Sequence, residues 1–341
     1  MTYLVKKPLA KLFLRCLDAT FLSSPQPPLA RFERILVSQI AHIGDVVIAT
    51  SILPLLREAY PSAEIGFLGA GASACVLRGH PLVDRVHVFD HWKLNRASLS
   101  LIKKIGVHQR SKQQAVGEIS DYDIAIDLYP YFPNAIPLLS AARIPVRIGY
   151  TSGGFGPLLT HPVAWEDKEQ HMAMYQADLL KVLGIQPVAP LVPRLAPGRP
   201  PSYALPSSYL LFHIGSGDAH KMWPVHKWRA LVAGCGGQPI LFTGRGRFEG
   251  EQIRAIVEGF PHAVNLCEQL SFEEWAYVIQ QCRCLVAVDC AAVHLAAASH
   301  TPTVVIFSKR ARLAHWRPQN PQAVVVDQEA EAKAVLQAIR F

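Results

Sequence analysis

Residues 35–54 (Ile-Leu-Val-Ser-Gln-Ile-Ala-His-Ile-Gly-Asp-Val-Val-Ile-Ala-Thr-Ser-Ile-Leu-Pro) constrain the fold more than any other stretch. A short apolar run with no alternation predicts a strand buried on both faces, which is the mark of a parallel sheet. Gly44 predicts a tight turn, and the apolar spacing after it predicts a helix opening on Asp45. A strand, turn and helix in that order form the first half of a βαβ unit. They place one carboxylate at the carboxyl end of a parallel strand, where open α/β sheets hold their ligands. Two readings of Asp45 remain open at this point, a helix N-cap and a group that does chemistry.

The rest of the chain repeats the alternation. Strands are expected at 35–40, 64–68, 85–89 and 123–128, with helices at 46–60, 98–119, 136–142 and 171–183. Residues 187–206 then hold seven prolines, a stiff and irregular stretch that predicts a domain boundary. Beyond it, strands are expected at 209–214, 239–243, 263–266, 285–289 and 303–307. Helices are expected between them at 227–235, 248–259, 272–282 and 293–299, with a last one at 329–339. The organisation that follows is a basic segment and linker at 1–30 and a Rossmann-like domain at 31–186. The proline linker at 187–206, a second Rossmann-like domain at 207–320 and a helical tail at 321–341 complete it. At 341 residues the chain is long enough for two such cores. A ligand is expected in a cleft lined by both sheets.

A formal charge of +8 favours an anionic partner: nucleic acid, an acidic membrane surface or a phosphorylated small molecule. Seven cysteines in so long a chain do not make a disulfide framework and indicate a reducing compartment. Residues 1–22 carry apolar side chains interrupted by Lys6, Lys7, Lys11 and Arg15, too often for a signal peptide or a spanning helix. A basic amphipathic helix fits, lying either on an anionic lipid surface or on the protein's own surface.

Two loops of the second half have anion-binding character. Gly215 and Ser216 follow a strand and lead to Lys221, where glycine lets backbone amides approach closely and lysine supplies a compact charge. Asp289, Cys290 and Ala291 end a strand and open a helix that carries His294, and helix N-terminal amides favour phosphate. Either loop alone reads equally well as an ordinary turn. Two in one domain point to a nucleotide.

The chain resembles the lipopolysaccharide heptosyltransferases, glycosyltransferase family 9. The resemblance rests on Ile43-Gly-Asp45 with its helix and Pro54, Tyr60-Pro-Ser-Ala-Glu64, and Pro81-Leu-Val-Asp-Arg-Val86. It continues through Asp123-Ile-Ala-Ile-Asp127, Arg147-Ile-Gly-Tyr150 and His171 ahead of Leu179-Leu-Lys-Val-Leu-Gly184. In the second half it includes Lys221-Met-Trp-Pro224 with Trp228, Leu241-Phe-Thr-Gly244, and Asp289 to His294. It implies an α/β GT-B fold, two Rossmann-like domains with parallel sheets facing across a cleft. It also implies inverting transfer of a sugar, heptose from ADP-heptose, to a lipopolysaccharide core or related lipid-linked saccharide. By that resemblance Asp45 is the general base and Gly44 lies on the acceptor side. Gln39 and His42 replace a common arginine or serine pattern, and His42 reads either as an acceptor-side candidate or as an exposed loop histidine. Gly215, Ser216, Lys221, Glu249, Asp289, Cys290, Ala291 and His294 would then meet the donor. The resemblance departs from the family at Cys290-Ala291-Ala292, where Thr-Gly-Pro is usual, so a hydroxyl and a glycine are missing.

Other motifs carry less. Asp121-Tyr-Asp123 precedes a strand and reads as capping, Cys282-Arg-Cys284 lacks a second pair at zinc-site spacing, and Asp167, Glu169 and His171 fit a helix start. No metal and no cofactor are expected, the nucleotide sugar being a substrate. The partners expected are that donor, a lipid-linked acceptor and an anionic membrane touched peripherally, in the cytoplasm at the inner membrane. Nucleic acid is not expected, because no recognition motif or aromatic-basic stripe accompanies the charge. A GT-B-fold nucleotide-sugar or saccharide binding protein with reduced or lost turnover is the alternative, motivated by Cys290–Ala292.

Overall fold

The computed structural model describes residues 3, 4, 8–29, 31–95, 99–309 and 311–339. Residue contacts divide the chain into two units, Met1–Ala196 and Pro197–Phe341. The division falls inside the proline-rich stretch, between Arg194, whose N–H donates to Thr50 in unit 1, and Arg199, whose N–H donates to the Glu273 carbonyl in unit 2.

Unit 1 is a six-stranded sheet of β1 (Arg34–Gln39), β2 (Glu64–Gly69), β3 (Arg85–Val88), β4 (Ile124–Asp127), β5 (Val146–Tyr150) and β6 (His161–Val163). Every pairing is parallel and the order is β3-β2-β1-β4-β5-β6. Its helices are α1 (Pro8–Ala19), α2 (Ile43–Ala49), α3 (Leu53–Ala59), α4 (Leu101–Glu118), α5 (Ile136–Ala141) and α6 (Met172–Asp178). β1 and β4 are buried from Ile35 to Gln39 and from Ile124 to Asp127, as central strands covered on both faces must be.

Unit 2 repeats the design with β7 (Leu210–His213), β8 (Ile240–Thr243), β9 (Ala263–Asn265), β10 (Cys284–Val288), β11 (Thr303–Phe307) and β12 (Ala323–Asp327). The order is β12-β11-β10-β7-β8-β9, all parallel. The helices are α7 (Val225–Gly234), α8 (Gly246–Val257), α9 (Phe272–Gln281), α10 (Ala291–Ala298), α11 (Leu313–Trp316) and α12 (Ala332–Ala338). Each unit has the doubly wound order, with the winding direction reversing between β1 and β4 and between β7 and β10. At such a switch point two adjacent loops leave the strand ends in opposite directions and open a crevice.

Four expectations need correction. The helix after β1 opens at Ile43 with His42 as its N-cap, so Asp45 is its third residue and not its first. The continuous helix at 46–60 is in fact α2, a 3-10 turn at Thr50–Ile52, and α3. Pro54, in the first turn of α3, has no N–H to offer Thr50, and the Thr50 hydroxyl turns back to the Val47 carbonyl at 2.7 Å. The helix expected at 98–119 begins at Leu101 behind the Ser100 cap, and Ser98 lies outside the described residues. The helical tail at 321–341 is part of unit 2: β12 pairs with β11, and Val335 and Ile339 enter the same core as Trp228 and Phe242. The strands β5 and β6 are further additions.

The N-terminal segment packs on unit 1. Tyr3 donates to Asp18 at 2.6 Å, Leu4 N–H to the Ser152 carbonyl at 3.1 Å, and Leu14 is buried against Gly154. Asp121 and Asp123 serve structure, the first pairing with Arg34 and the second accepting the N–H groups of Glu33 and Arg34.

Candidate active site

In unit 1 the buried end of β1 leads through Ile40, Ala41 and His42 into α2. The Asp45 carboxylate, half-buried, accepts the His42 N–H at 3.2 Å. This is the third-position half of a capping box, which satisfies one orphan donor of the helix and fixes the carboxylate's orientation. Capping is therefore present, and it does not compete with chemistry: a carboxylate has two oxygens and several lone pairs. His42 and Gly44 are half-buried in the same turn.

Beside this turn lies a residue to which sequence reasoning assigned no role. Ser38 and Asp127 are register partners on β1 and β4, across the switch point. The Ser38 hydroxyl donates to Asp127 Oδ1 at 2.6 Å, and the Ala135 N–H donates to Oδ2 at 3.2 Å. Asp127 is 1% exposed, and burial pushes its carboxyl up to about 7, against the pull of those donors. The signal available was a lone acid ending an apolar strand. The Asp127 side chain ties β1, β4 and the loop into α5 together.

In unit 2 the structure gathers most of the expected donor residues at its own switch point. Lys221 Nζ stands 2.6 Å from Asp289 Oδ2, with Lys221 28% and Asp289 4% exposed. Lys221 is placed by a 3-10 turn, Ala219–Lys221, whose N-cap Asp218 accepts the His220 N–H at 3.0 Å. The Ser216 hydroxyl points to the Asp289 carbonyl at 3.4 Å. A Cβ on Gly215 would overlap the Glu249 carboxylate, so glycine is what admits Glu249 against this loop. Glu249 Oε2 accepts the Arg245 N–H at 2.6 Å, and burial raises its carboxyl above the usual range.

Cys290 is the extended N-cap of α10, and Ala291 is that helix's first residue. Burial pushes the Cys290 thiol up to about 12, so it presents a neutral S–H and not a thiolate. His294 is 5% exposed, and burial, helped by Lys221, lowers it to about 4. At neutral pH it is uncharged and adds no cation to the site. His213, also buried and also held near 4, contacts Thr243 Oγ1 at 2.9 Å at the end of β7. Lys221, partly open to solvent beside Asp289, the backbone at Gly215 and the first turn of α10 form a set suited to an anionic group. Among the described residues no three His, Cys, Asp or Glu side chains cluster as a metal would need.

Comparison with known proteins agrees with this geometry. Residues 110–338 match the model of glycosyltransferase family 9 (heptosyltransferase). Lipopolysaccharide heptosyltransferase 1 of Pseudomonas aeruginosa is 27% identical over 294 residues, 80% of this chain and 78% of that protein. Among solved structures, Escherichia coli ADP-heptose lps heptosyltransferase II superposes with a TM-score of 0.73 at 19% identity, over 89% of this chain and 97% of that one. E. coli heptosyltransferase WaaC with ADP-2-deoxy-2-fluoro heptose gives 0.70 at 20%, covering 89% and 98%. With the fold of those enzymes in both units and a family match over most of its length, the chain belongs to glycosyltransferase family 9 and is a GT-B glycosyltransferase.

Proposed function

We propose that this enzyme transfers heptose from ADP-heptose to a hydroxyl of the lipopolysaccharide core or a related lipid-linked saccharide, with inversion at the anomeric carbon. Asp45 takes the acceptor proton as the acceptor oxygen forms its bond to that carbon. The bond from the anomeric carbon to the diphosphate oxygen breaks, and ADP leaves with the electron pair. An ordinary carboxylate is a weak base, so the orientation imposed by the His42 N–H matters more than basicity. Lys221, Ser216 and the first turn of α10 offset the charge that grows on the leaving diphosphate. Glu249 faces the nucleoside. No cofactor enters this scheme, and the reaction takes place in the cytoplasm, peripherally on the inner membrane.

The observation that carries the reading is the Lys221–Asp289 pair beside α10 at the unit 2 switch point, in a chain of this family. Calorimetric titration with ADP-heptose, followed by product analysis with a lipopolysaccharide core acceptor, tests it. Micromolar-range donor binding with heptose transfer is the expected result. Binding without transfer would instead favour a saccharide-binding protein, to which the Cys290-Ala291-Ala292 segment lends support. Absence of both would reject the donor assignment.

A further inference from the structure

The chain's net positive charge comes from two segments. Residues 1–22 and 91–118 carry ten of the 34 Lys and Arg and only two of the 26 Asp and Glu. The other 291 residues hold 24 of each sign and are neutral. One of the two acids, Asp18, is buried under Tyr3, and the other, Glu118, ends α4.

The fold brings these distant segments onto one face of unit 1. The Phe13 ring on α1 meets Phe132 edge-on at 5.8 Å, and Lys93 Nζ lies 4.7 Å from the centroid of the same Phe132 ring. From there the loop runs to Asn95, whose carbonyl accepts Lys104 Nζ of α4 at 2.9 Å. Between α1 and Lys93 lies an open groove of about 610 Å³, lined by Pro8, Leu9, Phe13, Leu14 and Phe132. Large apolar side chains on α1 and the first turn of α4 are exposed: Leu9 is 81% exposed, Leu12 57%, and Ile102 83%. The eighteen-residue α4 buries only Ala115.

We infer that this face is the protein's membrane seat: α1, the 91–95 loop and the first turns of α4 together lie in the surface of an anionic bilayer. The inference deepens the peripheral contact proposed above and rests on that reading for its location. Charge complementarity selects the occupant. Cations alone would suit any polyanion, but Leu9, Leu12 and Ile102 are buried only by an apolar partner, and an anionic bilayer supplies hydrocarbon and negative charge together. Lysine stems beside them keep the ammonium groups among lipid headgroups while the methylenes stay apolar. Among the described residues no helix is long and apolar enough to cross a membrane, so the face rests in the surface and does not pass through it.

The test is co-sedimentation of the full chain with phosphatidylcholine vesicles, with and without about one-third phosphatidylglycerol. Two double variants are compared, Lys11→Glu with Lys103→Glu, and Leu9→Ser with Ile102→Ser. All four side chains are exposed, and unchanged melting temperatures confirm intact folding. Wild type is expected on the anionic vesicles only, with each variant partitioning roughly tenfold more weakly. Equal binding to neutral vesicles, or unchanged binding of either variant, overturns the inference. If only the charge variant loses binding, the face is a general polyanion site, which also overturns it. Transfer to a delipidated, water-soluble acceptor is measured in parallel. Its absence in the wild type refutes the proposed reaction, while the vesicle result still decides the membrane seat.

Discussion

Lys221 and Asp289 form a 2.6 Å ion pair in which the carboxylate is nearly inaccessible and the ammonium remains partly open to solvent. The pair locks the loop after β7 to the end of β10. It also leaves the exposed side of the lysine as the positive face of the site. Removing one partner of such a pair is costlier than removing both, because the survivor is left buried and uncompensated.

Lys221→Ala is therefore expected to weaken donor binding at least roughly tenfold and to destabilise unit 2 by about 1–3 kcal/mol. Adding Asp289→Asn should restore much of the stability but none of the affinity. Calorimetry with ADP-heptose and denaturant melts of the two variants separate the two effects.

Asp45→Asn keeps a side-chain oxygen that can accept the His42 N–H, so stability should change by less than about 1 kcal/mol. Transfer should fall by roughly a hundredfold or more, because the amide cannot take the acceptor proton, and donor affinity should hold. Near-normal turnover in single-round assays would remove Asp45 from the base role.

Gly215→Ala places a methyl in the space of the Glu249 carboxylate. A loss of about 1–3 kcal/mol is expected, with weaker donor binding as the loop and α8 move apart. Shortening the neighbour in Gly215→Ala/Glu249→Ala should recover stability. If it does not, the close approach is not the cause.

The buried Asp127 makes stability depend on pH. Its carboxyl is raised to about 7 in the folded chain against roughly 3.9 in an unfolded one, so folding takes up a proton between those values. Its contribution is complete below about pH 4 and declines as pH rises through about 7, by an amount on the order of 4 kcal/mol. Asp127→Asn should flatten that decline between pH 4 and 7 in urea titrations. An unchanged pH slope would contradict it.

The strands were readable because central parallel strands are apolar on both faces, as the runs beginning at Ile35, Leu285 and Thr303 are. The edge strands β3 and β9 were readable too, but the edge strands β6 and β12 and the interior β5 were not. β6 is only three residues with an exposed Pro162, and the valine run of β12 was absorbed into the expected helical tail. Local patterning also misplaced the start of α2. His42 is a poor cap by residue type, and Asp45 looked like a better one. Among the site residues, the loops at 215–221 and 289–294 announced themselves through glycine, lysine and strand-to-helix transitions. The meeting of Lys221 with Asp289 did not, because they lie 68 positions apart in the chain.

Residue order by itself determined that this protein is two parallel α/β units with a basic N-terminal helix, and that Asp45 follows the first strand. Those properties follow from hydrophobic period and turn chemistry, which act over a few residues. Only the tertiary structure decided the charge states and partners. Burial, a property of the whole core, leaves His294 neutral and Cys290 protonated and raises Asp127. The same long-range packing brings Lys93 beside α1 in unit 1 and pairs Lys221 with Asp289 beside α10 in unit 2.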